Sequence, residues 1–301
     1  MRAFIFGDTH TGRYFIEDIT KASMAVWDWA YDIIQTKKID AVFFLGDRCR
    51  SRDPEGLIRD IADRGLVRLS ELVPVYCICG NHDFYFKSGS IENNYGILSK
   101  WKNIHVISDN IVVKFGDINV EFLAYGSEPS GRGQYLMMHD EIEGMLHWVK
   151  DGVSREKLKS YKKVYSGHIH YRKIDGNMVY VSVPFQQNFG DGKEVGGLIL
   201  DLNTGKEDWV GGFGPKFITG LTANINGNIV RVETDSEREE ALKRGAIWVE
   251  VIGKEENEVI KKVEEASMTV GWADWIVEYV KRNNKSDTYI NIGNHILDSC
   301  Q

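Results

Sequence analysis

Apolar residues in the first two thirds of the chain fall into short continuous runs. Ala3 to Phe6, Ala41 to Leu45 and Val73 to Cys79 are rich in β-forming residues, as strands covered on both faces are. Between the first two, Ile19, Ala22, Val26, Ala30 and Ile33 recur near a helical period and predict a helix from about Phe15 to Lys37. A second helix is expected over Pro54 to Leu72. Strand and helix alternate, which predicts an α/β layered fold.

After Asn81 the spacing tightens. Val106 to Ile107, Ile111 to Phe115 and Val120 to Tyr125 read as strands separated by turn residues such as Asp109-Asn110 and Gly116-Asp117. Tyr135 to Met138, Lys163 to Ser166, Met178 to Val183 and Gly197 to Asp201 fit strands too. The pattern predicts two sheets between helices. Gly211-Gly212-Phe213-Gly214-Pro215 is the strongest punctuation and marks a domain boundary, so the chain divides into residues 1–213 and 216–301. The second part predicts a small α/β domain. It has a strand pair around Asn226-Gly227, a helix over Ser236 to Arg244, a strand over Ala246 to Ile252 and a charged helix over Glu255 to Met268.

Five short blocks stand at or just after strand-like runs: Gly7-Asp8-Thr9-His10, Gly46-Asp47, Gly80-Asn81-His82-Asp83, His139, and Gly167-His168-Ile169-His170. Residues at strand ends converge on one cleft from a rigid scaffold. Seven candidate ligands can be counted: Asp8, His10, Asp47, Asn81, His139, His168 and His170. Carboxylate, amide oxygen and imidazole suit Mn²⁺, Fe²⁺ or Zn²⁺. Seven exceed what one tetrahedral ion takes and serve two ions if one carboxylate bridges. Singly, each block has a bland reading: Asp8 as a helix N-cap, Asn81 as a turn residue, His168 and His170 as strand residues. Five blocks in order favour the metal reading. His105 and His147 compete with His139, but His105 lies in a strand-like segment and His147 in a helix-like stretch with Ile142, Met145 and Trp148. Arg48, Arg50 and Arg52 alternate after Asp47 and offer a phosphate grip beside the metals, or an ordinary solvated loop. Cys77 and Cys79 read as small core residues. Trp27, Trp29, Trp101 and Trp148 read as core or interface rather than base-stacking surfaces.

The pattern D-x-H, G-D, G-N-H-[DE], H, G-H-x-H resembles that of the calcineurin-like metallophosphoesterases. The resemblance implies a two-sheet αββα sandwich. It places Asp8, His10, Asp47 and His170 on one metal, and Asp47, Asn81, His139 and His168 on the other. Asp47 is then the bridge. His82 faces the scissile phosphate and protonates the leaving oxygen, with Asp83 orienting its ring. The run from Val164 through Pro184 and Asn188-Phe189-Gly190-Asp191 to Asp201, with GNHDFYFK, is similar to SbcD-type nucleases and, more closely, to the phage recombination endonuclease subunits among them. That likeness implies a manganese-dependent DNA nuclease, with Mg²⁺ also compatible. It would be an exonuclease on duplex ends with single-strand endonuclease activity. It also implies a capping domain after residue 215, a homodimer, and an SbcC-like coiled-coil ATPase partner. Two features depart from the family. Arg50 stands where Asp or His is usual, and only Tyr289 to Leu297 is a candidate for the ATPase-docking segment.

Composition changes the picture little. The 301 residues are 43% hydrophobic and 27% charged, as globular chains are, and no apolar run is long enough for a transmembrane helix. The four cysteines give no disulfide or zinc pattern, and MRAFIFGDTH begins directly with a strand. A cytoplasmic setting is expected, that of the host if the chain is phage-encoded. The net charge of −7 counts against nucleic-acid binding by bulk electrostatics alone, so contact with DNA or RNA would come from local basic spots, metal ions or a partner. It leaves open a small-molecule or nucleotide phosphodiesterase, or a binding scaffold without turnover.

Overall fold

The structure, a computed structural model, describes residues 1–85 and 92–252. The expected helix over Glu255 to Met268 and the Tyr289 to Leu297 segment lie outside the described residues. In chain order the first unit contains β1 (Arg2–Phe6), α1 (Glu17–Lys37), β2 (Ala41–Phe44), α2 (Gly56–Ser70), β3 (Val75–Ile78), β4 (Ile104–Ile107), β5 (Asn110–Phe115), β6 (Ile118–Leu123) and β7 (Tyr135–Met138). It continues with α3 (Arg155–Leu158), β8 (Lys163–Ser166), β9 (Lys173–Asp175), β10 (Met178–Tyr180), β11 (Gly196–Asp201) and β12 (Glu207–Gly211). The second unit contributes β13 (Phe217–Thr219), β14 (Ile229–Val232), α4 (Asp235–Lys243) and β15 (Trp248–Val251). The two units divide between Lys216 and Phe217.

Two six-stranded sheets build the first unit, ordered β12-β11-β1-β2-β3-β4 and β5-β6-β7-β8-β10-β9. The pairs β1–β2, β2–β3 and β3–β4 are parallel, as are β6–β7 and β7–β8. Parallel strands place their carboxyl ends on one side, and those ends carry the blocks singled out in the sequence.

The sheets face each other through aromatic rings. Phe43 meets Phe122 edge-on at 5.0 Å, and Tyr76 stacks on Phe122 at 5.2 Å. Helix α1 covers the outer face of the first sheet. Its Trp27 packs on Phe6 and Phe44, and its Trp29 on Phe4 and Phe6. Phe4, Phe6, Phe43, Phe44 and Phe122 are fully buried. Each such side chain contributes about 1.5–3 kcal/mol by leaving water. Continuous burial on both faces is why β1 and β2 read as unbroken apolar runs.

The outer face of the second sheet is covered differently from expectation. Leu123, Leu136, Met138, Val164 and Tyr180 meet Ile142, Met145, Leu146 and Val149 in one buried cluster. Ile142 to Trp148 forms no helix, despite its helical spacing. Gly144 turns at φ 65°, and Ile142 bridges to Val153, so the segment is a looped cover that ends in the short α3. The last sequence-expected strand of this sheet stops early, at Tyr180, and Ser182 takes φ 72°.

In the second unit the strands flanking Asn226-Gly227 do not form a hairpin. β13, β14 and β15 are all parallel, with Asn226-Gly227 in the connection between β13 and β14. Helix α4 opens on a capping box, Thr234 accepting from the Glu237 N–H and Glu237 from the Thr234 N–H. Among the described residues, no helix is long and apolar enough to cross a membrane.

Candidate metal centre

Four residues at the sheet ends take the left-handed backbone region that side chains disfavour: Asp8 at φ 51°, His10 at 41°, Asp47 at 54° and His168 at 69°. Each such residue costs on the order of 1 kcal/mol or more and is held by its surroundings. Here the loops hold one another. The Asp8 N–H donates to the Gly46 carbonyl at 2.8 Å, and the His10 N–H to the Asp47 carbonyl at 3.0 Å. Glycine is needed where these loops approach closely. A Cβ on Gly80 would sit 2.3 Å from Asp47 Oδ1, and one on Gly167 would sit 2.7 Å from Asp8 Oδ2.

The side chains converge in two groups that share Asp47. Asp8, His10 and His170 lie together: His10 Nε2 is 3.2 Å from His170 Nε2, and Asp8 Oδ1 is 3.9 Å and 3.7 Å from those two atoms. Asp47, His139 and His168 form the other group, with Asn81 between the two rings. Asn81 Oδ1 is 3.1 Å from His139 Nε2 and 2.9 Å from His168 Nδ1. Asp47 Oδ2 reaches both groups, 3.5 Å from His10 Nε2 and 3.4 Å from His139 Nε2. All seven sequence-expected ligands therefore meet in one place. His105 instead stacks on Tyr76, and His147 is an exposed residue of the looped cover.

Neighbours fix which nitrogen faces the cluster. His139 Nδ1 donates to the Leu45 carbonyl at 2.5 Å, leaving Nε2 inward. His170 Nδ1 meets Asp191 Oδ1 at 3.0 Å, which turns its Nε2 toward His10 and Asp8. Asp191 was not among the expected site residues. Its carboxylate also accepts the Gln187 N–H at 2.6 Å, so it ties the loop after β10 to the histidine pair. The Gln187 amide then donates to the Asp8 carbonyl at 2.8 Å.

Charge is crowded here. Burial opposes ionisation of His139, but Asp47 and Asp8 outweigh it, and its pKa is pushed up to about 10. His170 is likewise raised to about 10 against burial, through its contacts with Asp191 and Asp8. Burial dominates at His10 and His168, lowering them to about 3 and about 4. Asp8 and Asp47 stay ionised although burial disfavours it, because the imidazoles beside them favour the charged form. Buried carboxylates that need cationic partners, with two imidazole nitrogens in direct contact, are a donor set suited to divalent ions.

Two sequence expectations are corrected. Asp83 does not orient the His82 ring. Its buried carboxylate accepts the backbone N–H groups of Asp47 at 2.7 Å, Gly80 at 3.0 Å and Arg48 at 3.2 Å, tying two ligand loops together. Burial and the Asp47 charge raise its pKa to about 6. The His82 ring is held by the Arg50 carbonyl, 2.6 Å from Nδ1. Arg48 is not a phosphate grip. Its guanidinium is fully buried, ion-paired with Asp63, bonded to the Asn94 carbonyl at 2.9 Å, and 4.6 Å over the Tyr95 ring. Spacing does not reveal this, because alternation along a loop says nothing of which residue turns inward. Arg50 lies over Tyr14 and donates to the Arg13 carbonyl; Arg52 donates to the Phe84 carbonyl.

The family profile for calcineurin-like phosphoesterase matches residues 1–172 of the 301. The chain belongs to the calcineurin-like phosphoesterases. Binding of two divalent metals and hydrolysis of phosphoesters are the properties of this family, and the cluster fits them. Among known proteins the chain is similar to Exonuclease subunit 1 of Enterobacteria phage T4, 23% identical over 153 residues. The match covers 46% of this chain and 45% of the relative, so the chain spans about half the length of that protein. Two solved structures resemble it in outline. One is an archaeal phosphodiesterase, 16% identical, with a TM-score of 0.41 over 70% of this chain and 99% of the other. The other is the purple acid phosphatase PPD1 of yellow lupin (Lupinus luteus) seeds, 14% identical, with a TM-score of 0.43 over 66% and 49%.

Proposed function

We propose that the chain is a two-metal DNA nuclease. The observation that carries this reading is the placement of Asp47, whose one carboxylate lies within 3.5 Å of an imidazole from each ligand group. Asp8, His10 and His170 would hold one ion with Asp47, and Asn81, His139 and His168 the other. Two divalent cations supply an activated water and neutralise the phosphate charge.

The chain's own residues do the rest. Asp8 and Asp47 set the negative charge of the centre. Asp191 and the Leu45 carbonyl aim the rings of His170 and His139. His82 is the partly open member, with 34% of its side chain exposed and Nε2 4.0 Å from Asp47 Oδ2. A carbonyl only accepts, so Nδ1 of His82 carries the hydrogen toward Arg50, and Nε2 is free to exchange a proton. As an imidazolium it donates that proton to the departing alcohol oxygen.

The similarity to a phage exonuclease subunit supports DNA as substrate. The subunit in that relative's name supports a partner, which we take to be an SbcC-like coiled-coil ATPase, with Mn²⁺ as the metal and a homodimer as the assembly. Incubation with linear duplex DNA and Mn²⁺ tests the reading. Shortening of the duplex by wild type and not by Asp8→Ala supports it, and intact DNA in both ends it. A second reading, hydrolysis of a small nucleotide diester, is favoured by the net charge of −7. Turnover of such a diester with DNA untouched would establish it instead.

A further inference from the structure

Two contacting aromatic residues, one of them the chain neighbour of the ligand candidate His170, stand half in water. Tyr171 directly follows His170 in the chain and is 40% exposed. Trp148 is 52% exposed, and its indole lies 6.0 Å from the Tyr171 ring at 70°. His147 meets the same indole edge-on at 4.6 Å. The three rings form a stepped corner contributed by two separate segments.

Both segments are anchored. Trp148 sits between Leu146 and Val149, which are buried in the cluster under the second sheet. The turn is closed by the Val149 N–H on the Leu146 carbonyl and the Gly144 N–H on the Val149 carbonyl, each at 3.0 Å. Behind Tyr171 runs Gly192, whose N–H donates to the His170 carbonyl at 2.7 Å. A Cβ there would lie 3.1 Å from Tyr171 Cα and 3.5 Å from its ring. Large rings fixed on a packed base give contact area at low entropic cost to whatever lands on them. The adjoining cation offers little to a phosphate, because Arg172 is bonded to Glu194 at 2.8 Å and lies 4.4 Å over Trp209. With Arg172 so engaged, the two rings themselves are the feature this corner offers to a base.

We propose that Trp148 and Tyr171 form a stacking platform for an unpaired nucleobase of the strand whose phosphodiester lies at the metal centre. This rests on the nuclease reading above. A diester seated against His170 carries a nucleoside on either side, and the residue next to His170 is Tyr171. Stacking of this kind tolerates any base, since every base has a π face.

The test is binding of a short single-stranded oligonucleotide to the full chain, with Ca²⁺ supplied and Mn²⁺ withheld, read by fluorescence anisotropy. A strand of equal length made of abasic residues is measured beside it. Trp148→Ala and Tyr171→Ala are each expected to weaken binding of the base-bearing strand about tenfold, and Trp148→Phe to restore most of it. Wild type should prefer the base-bearing strand, and the double alanine variant should not distinguish the two. Undetectable binding by wild type, alanine variants that bind as wild type does, or equal losses on both strands would each overturn the platform. Cleavage of linear DNA with Mn²⁺ is followed in parallel. Uncut DNA counts against the nuclease reading, whereas cut DNA with unchanged variant affinities removes the platform alone.

Discussion

Asp47 Oδ1 accepts the backbone N–H of His82 at 2.8 Å, so the shared carboxylate also fixes the start of the loop that presents the His82 ring. Asp47→Asn keeps that shape and removes the charge. It is expected to bind at most one Mn²⁺ per chain, by elemental analysis, and to lose phosphodiesterase activity by more than about a hundredfold, beyond the range seen for outer residues of metal sites. Two ions per Asp47→Asn chain would show that the two groups do not share it.

His82 lies near His10 and Asp47 closely enough to form a third possible ligand group with them. Its expected role is proton transfer. His82→Ser should lower turnover by about 10²–10⁴-fold while Mn²⁺ stoichiometry stays unchanged in calorimetry. Metal content that falls in step with activity would put His82 among the ligands instead.

Asp191 acts through His170. Asp191→Asn leaves the shape of the loop but weakens the hold on Nδ1. Mn²⁺ affinity is expected to drop about 10–100-fold, measured by calorimetric titration, with little change in thermal stability of the metal-free protein.

Arg48 makes the opposite prediction. Arg48→Ala leaves Asp63 without its cation and empties the space over Tyr95. A loss of about 3 kcal/mol is expected, the lower end for a buried pair because Asp63 keeps some contact with water. Thermal melting should shift down by roughly 6–12 °C. An unchanged melt with impaired substrate binding would return Arg48 to the phosphate-grip reading.

Glu121 gives the fold a pH dependence away from the centre. Its buried carboxylate accepts the N–H groups of Ser130 at 2.6 Å and Arg132 at 3.1 Å, the Asn110 amide at 2.7 Å and the Tyr161 hydroxyl at 2.8 Å. Burial opposes the charge, but the Ser130 N–H and the Tyr161 hydroxyl outweigh it and lower the pKa. A lowered folded-state pKa contributes stability above the unfolded value of about 4.3, and that stability is lost as pH falls through the folded one. Glu121→Gln should therefore cost about 2 kcal/mol at pH 7. The gap from wild type should close in melts taken below about pH 4.

Most strands and the five blocks were legible because they rest on local signals: apolar runs followed at once by a ligand-type residue, with a glycine between them in every block but that of His139, whereas the short β9 and the half-buried β12 carry no such run. What spacing could not reveal depends on the third dimension. Asp191 follows His170 by two short strands and a proline turn, and only the fold brings its carboxylate to the ring. Asp83 sits beside His82 in sequence, yet its side chain turns inward to backbone N–H groups while the imidazole turns out. The segment around His147 has helical apolar spacing, but Gly144 and the Ile142–Val153 bridge make it a loop that buries Ile142 and Met145 and leaves Trp148 half exposed. Register of the second unit's strands escaped as well, since Asn226-Gly227 suits a hairpin and the chain uses it within a parallel crossover.

The last histidine pair joins the first aspartate across more than half the chain, for the His168 N–H donates to Asp8 Oδ1 at 3.1 Å. That link cannot form until β8 has been made and has found its place beside β7. During synthesis, then, the growing chain passes through a long stretch in which most ligands exist but no pocket does. Capacity to hold ions should arise abruptly as the second sheet closes, so that a half-made molecule is inert rather than loosely active.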